Sequence, residues 1–115
     1  MEPTDADDGI ATAEVTTLEA SVEDGAGAAR TPVFDGDPRV VSLRLERGES
    51  IPKHHHHGTT VLLLVRSGSI SATIGGRERR LDSGSIVRFD GGDGVAVEAR
   101  EPCSAVVVLA ENGGA

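Results

Sequence analysis

The chain has no tryptophan, no tyrosine and only two phenylalanines, Phe34 and Phe89, among its 115 residues. Its core must therefore be assembled from Val, Leu, Ile and Ala, which bury less area per residue than aromatics do. Lysine is almost absent: Lys53 is the single copy among 11 basic residues, the rest being arginine. Against these stand 19 Asp and Glu, for a formal charge of −8. That balance excludes a general phosphate binder, because nucleic acid is held through a basic face that releases counterions. The one basic stretch, Arg77-Glu78-Arg79-Arg80, is interrupted by Glu78 and adjoins a Gly-Gly turn, so it reads as a solvated hairpin arm. An acidic surface with scarce lysine resembles proteins of high-salt cytoplasm, where carboxylates keep the chain hydrated and salt screens their repulsion. A halophilic archaeal origin is the corresponding expectation.

A single cysteine, Cys103, excludes an internal disulfide framework, and its place before a Val-rich segment suits a small core residue better than a nucleophile. No apolar run approaches membrane-spanning length, and no basic-then-apolar leader precedes a cleavage site. Neither a membrane nor a nucleic-acid partner is expected, and cytoplasm is the default location.

What is present is a series of short β-rich segments between turn signals. Val41, Leu43 and Leu45 alternate with polar neighbours, as in a half-buried strand. Thr60 to Val65 is apolar on both faces, which predicts a strand covered on both sides. Ile70 to Ile74 and Arg77 to Leu81 flank Gly75-Gly76, a two-residue hairpin connection. Ile86 to Phe89, Val95 to Ala99 and Ala105 to Ala110 complete the set, the first two separated by the glycine-dense turn Asp90 to Gly94. The organisation expected is a disordered acidic leader over 1–14, an N-terminal extension over 15–39 with an edge strand at Val33-Phe34, a β-barrel over 40–110 and a polar tail over 111–115. Many short strands without a convincing helix predict an all-β fold, an antiparallel sandwich or small barrel.

All four histidines are consecutive, His54 to His57. Imidazole is a ligand for first-row transition metals and titrates near neutral pH, so this concentration points to a site. A purification tag is usually terminal and longer, whereas this run is internal and leads into a strand. On a strand, His54 and His56 share one face and His55 and His57 the other. Parity alone leaves open which pair points inward.

On this frame the sequence resembles the cupin superfamily. The family's first motif, G-x5-H-x-H-x4-E-x6-G, meets Gly48, His54, His56, Val61 and Gly68 here. The second, G-x5-P-x-G-x2-H-x3-N, meets Gly84, Asp90, Gly92, Val95 and Ala99. The resemblance covers Val40 to Leu109 and implies a double-stranded β-helix of jelly-roll type. It also implies a metal site of two histidines, a glutamate and a third histidine. Only His54 and His56 are kept: Val61 replaces the glutamate and Val95 the third histidine. The expectation is a degenerate site with a divalent ion (Ni, Zn, Cu, Fe or Mn) weakly held at His54 and His56. His57, Asp90 and Asp93 are further ligand candidates, while Glu98, three residues after Val95, should face the other way.

The apolar replacements also suggest a pocket lined by Val61, Leu63, Val65, Val95 and Val97, able to take a small, partly apolar molecule. Three functions remain open from the sequence. The first is a non-catalytic cupin that binds a small molecule or loosely held metal. The second is a metal-dependent dioxygenase or isomerase with an unrecognised third ligand, and the third is a structural dimer. A homodimer is expected in any case, because covering an outer sheet face offsets a thin, aromatic-poor core.

Overall fold

The computed structural model describes residues 13–18 and 29–113. The leader expected over 1–14 lies outside the described residues except for Ala13 and Glu14, which are exposed. Nine strands in the described chain form two antiparallel sheets. One has five strands in the order β1 (Ala29–Phe34), β2 (Arg39–Leu45), β9 (Cys103–Glu111), β4 (Thr59–Ser67), β7 (Ile86–Asp90). The other has four, in the order β3 (Ser50–His54), β8 (Val95–Ala99), β5 (Ser69–Ile74), β6 (Arg77–Asp82). A single 3-10 turn, Gly91–Asp93, is the only helical piece among the described residues, and no helix there is long and apolar enough to cross a membrane.

The all-β expectation holds, and alternation explains why. Along β2, Val41, Leu43 and Leu45 are buried while Ser42 and Arg44 are half-buried on the other face. The inner faces of both sheets meet in one core that includes Leu43, Leu63, Val65, Ile70, Ala72, Val97 and Ala105. Phe34 and Phe89 are only half-buried, so the centre is aliphatic. Gly75 and Gly76 both have positive φ, 57° and 85°, the geometry a two-residue hairpin between β5 and β6 requires. Cys103 is 1% exposed, and burial pushes its thiol pKa up, so it packs as a small apolar group.

Four details differ from the sequence expectation. The edge strand spans Ala29 to Phe34 rather than two residues; Pro32 is tolerated because an edge strand need not donate on its outer side, and pairing with β2 slips near it. A strand over Ser50 to His54 carries no alternating signal, since Pro52 and Lys53 interrupt it, and it too sits at a sheet edge. Glu111, placed in the tail from sequence, ends β9 opposite Thr59. Finally, β4 is not covered on both faces by the described residues: Val61, Leu63 and Val65 are buried, but Leu62 and Leu64 are half-buried on the outer face.

Candidate functional site

A bulge in β3 decides how the four histidines point. Ile51 pairs with Val97 and His54 with Val95, three steps on β3 against two on β8, so Pro52-Lys53 carries an extra residue. Strict alternation from the half-buried Ile51 would turn Lys53, His55 and His57 inward. The bulge reverses that parity: Pro52 and Lys53 are both exposed, and Ile51, His54 and His56 line one cavity. His55 and His57 lie exposed, their rings stacked 5.2 Å apart and nearly parallel at 2°.

The turn after β3 is held against the 3-10 turn. The His56 backbone N–H donates to the Gly91 carbonyl at 2.9 Å. A Cβ on Gly91 would sit 2.2 Å from the His56 carbonyl oxygen, so only glycine allows this approach. His54 and His56 meet edge to face, ring centroids 4.8 Å apart at 88°. Nδ1 of His54 lies 3.0 Å from the Pro52 carbonyl. A carbonyl only accepts, so Nδ1 is the donor in this bond and Nε2 is the ring nitrogen left to meet a ligand. Burial, followed by the positive charges of His54, Arg30 and Arg39, holds the His56 pKa below the ordinary histidine value. Its imidazole is accordingly neutral at pH 7.

The cavity behind the two rings has a volume of about 40 Å³. Val61, Leu63, Val95 and Val97 line it, joined by Val41, Leu43, Ile51, Phe89 and Val107. Val65, expected among the lining residues, is not there. Alternation fixes its face but not its depth, and it lies fully buried two residue pairs further along β4, opposite Ala105. Arg30 of β1, which no pattern in the 15–39 extension singles out, also reaches the cavity.

The further ligand candidates do not join His54 and His56. His57 points to the outer side, and the exposed Asp90 caps the 3-10 turn by accepting from the Gly92 N–H at 2.8 Å. Asp93 is exposed beside Gly75 at the β5–β6 hairpin, and Glu98 is exposed on the outer face opposite Ser50 and Ser71. Val95 stands directly across from His54, and Val61 lines the same cavity from the other sheet. Among the described residues no three or more His, Cys, Asp or Glu are gathered to hold a metal ion. The donors present therefore do not fit a fully ligated resident metal.

A family profile for the cupin domain matches residues 41–109. Solved structures of similar fold include an RmlC-like cupin from Desulfovibrio desulfuricans, at 17% identity and TM-score 0.75, covering 86% of this chain and 97% of the other. The cupin domain of an XRE-family transcriptional regulator from Enterobacter cloacae matches at 22% identity and TM-score 0.67, over 75% and 98% of the two chains. KdgF from a Halomonas species matches at 24% identity and TM-score 0.65, over 79% and 84%. At these identities the likeness shows the fold alone. A search of curated proteins finds no significant match.

Proposed function

The chain belongs to the cupin family, and from that premise we propose that it is a binding barrel rather than a metal enzyme. It takes a small, partly apolar molecule at the cavity behind His54 and His56. A divalent metal there meets two imidazoles and otherwise water, and is loosely held. One observation carries this reading: Val61 and Val95, at the family's other two ligand positions, line the same cavity as the histidines. Valine coordinates nothing, and an apolar wall favours an apolar guest.

Titration of untagged protein with Ni(II) and Zn(II) in a calorimeter tests this. Binding should be weaker than micromolar and should fade as pH falls through the histidine range, because protons compete for neutral imidazole. Changing His54 and His56 together to Ala should abolish it, and changing His55 and His57 should leave most of it. Sub-micromolar affinity in the native chain would contradict the reading and put a metal-dependent dioxygenase or isomerase ahead.

The same proposal includes a homodimer through the five-stranded sheet. Two register rows of outward side chains support it: Val40, Val108 and Leu62 in one, Val106, Leu64 and Ile86 in the other. Ile86 is 61% exposed, and a second copy would cover the row. Sedimentation at high salt should return about twice the 11.8 kDa chain mass, and Leu64→Glu should return one chain mass. A native protein of single chain mass would contradict it. We place the protein in the cytoplasm on the same footing, since its one thiol is unpaired and buried.

A further inference from the structure

We propose that the cavity mouth recognises a short-chain carboxylate, with Arg30 holding the carboxylate and the aliphatic interior taking the tail. This deepens the binding-barrel reading and rests on it.

The argument starts from the register. Arg30 pairs with Leu43, a core residue, so its Cα sits on the inward-facing side of β1 at the sheet edge. Arg30 is itself exposed, so it stands at the rim of an apolar cavity and presents there a guanidinium, which is always charged. Among the described residues no Asp or Glu lines the cavity. The nearby Arg39 has an exposed ion pair with Asp35 at 4.0 Å, whereas among the described residues no carboxylate pairs with Arg30. In a chain of net charge −8 a cation left over at an apolar mouth is a local inversion of sign. A carboxylate is the anion that matches the planar fork of arginine with two parallel hydrogen bonds.

The interior sets the tail. A water-sized group needs roughly 10–15 Å³ of such space, so a cavity of about 40 Å³ takes about three carbons. Val41, Leu43, Val61 and Val95 offer those carbons no hydrogen bond. The ligand class is thus an aliphatic acid of about four carbons, head outward at Arg30 and tail inward.

An inward charge on an edge strand also discourages unwanted strand pairing, and the experiment separates the two roles. The probes are isobutyrate and its neutral isostere isobutyramide, titrated at millimolar levels into metal-free full-length protein and followed by amide chemical shifts. Isobutyrate should bind roughly tenfold more tightly than the amide, the factor one charge-assisted contact gives. Octanoate should bind no more tightly than isobutyrate. Arg30→Gln should erase the preference for the acid, and Arg30→Lys should keep part of it. If the amide binds as tightly as the acid in the native protein, or if Arg30→Gln binds isobutyrate unchanged, the carboxylate inference fails while the binding barrel stands. If neither probe shifts the cavity residues, both fail. The native-protein comparison needs no variant, so it stands even where Arg30→Gln aggregates.

Discussion

At one end of the barrel interior Leu45, Val65 and Ile70 are 0% exposed and Cys103 is 1% exposed. At the other end, on the same strands, Val41 and Val61 face a cavity rimmed by Arg30, His54 and His56. β2 supplies Val41 to the open end and Leu45 to the closed one, and β4 does the same with Val61 and Val65. Alternation alone makes all four inward. The strands pair at both ends: Leu45 with Cys103 and Val65 with Ala105 at the closed one, Val41 with Val107 and Val61 with Leu109 and Phe89 at the open one. What differs is the cover, because the open end is bordered by a bulged edge strand, β3, and by the outermost strand, β1, which bring His54 and Arg30 to the cavity. Edge strands, one bulged at Pro52-Lys53 and one slipped near Pro32, are what hold polar side chains over an apolar hollow.

The largest effect should come from deleting the same side chain at each end. Leu45→Ala leaves a sealed void among residues that cannot close over it, and it should cost about 3–5 kcal/mol of stability by denaturant unfolding. Leu63→Ala enlarges a cavity already present near the mouth, where water can enter, and should cost about 2–3 kcal/mol. Equal losses would show that the two ends are packed alike and that the cavity has no special standing.

Next in size is the contact that shapes the mouth. Gly91→Ala forces a methyl into the His56 carbonyl, 2.2 Å from its ideal position, so one of the two turns must shift. The expected cost is about 1–3 kcal/mol, together with loss of metal binding at His54 and His56. Chemical shifts of Leu45 and Ile70, at the closed end, should not move. A variant as stable as the native protein would mean that the turns are not held together as described.

How much of this contrast could be read beforehand follows from what each feature encodes. Strand alternation is local, so Val41, Leu43 and Leu45 announced their face directly. The glycine frame was legible because its positions are irreplaceable: Gly68 has φ of 81°, and a Cβ there would lie 2.2 Å from the Pro102 carbonyl. Depth along a strand is not local, which is why alternation places Val65 with the cavity residues although it lies beyond the cavity. The β3 bulge depends on pairing with Val95 and Val97, which lie far along the sequence on β8, and no pattern within β3 reports it. Only the family registration chose His54 and His56 over the opposite pair. Arg30 had no signal at all: an arginine in a segment without periodicity gains meaning only once Leu43 stands beside it.

The smallest effect concerns pH. His56 is held neutral at the open end, its folded pKa lying below the unfolded value. The unfolded chain then binds the proton more readily as pH falls, so this contribution is complete above the ordinary histidine pKa and is lost as pH drops through the folded one. Unfolding curves of the native protein should show stability declining on that acid side, and His56→Gln should flatten the decline without altering stability at pH 8. A slope unchanged in His56→Gln would assign it to other groups.

The account's central claim is that Val61 and Val95 occupy the two missing ligand positions around His54 and His56. Val61→Glu combined with Val95→His puts donors back at both. Calorimetric titration of that double variant with Ni(II), beside the native protein, should show affinity rising at least a hundredfold, the direction expected when two imidazoles become three and a carboxylate joins them. A folded double variant that binds Ni(II) no more tightly than the native chain would contradict the registration, and with it the assignment of this mouth as a cupin site.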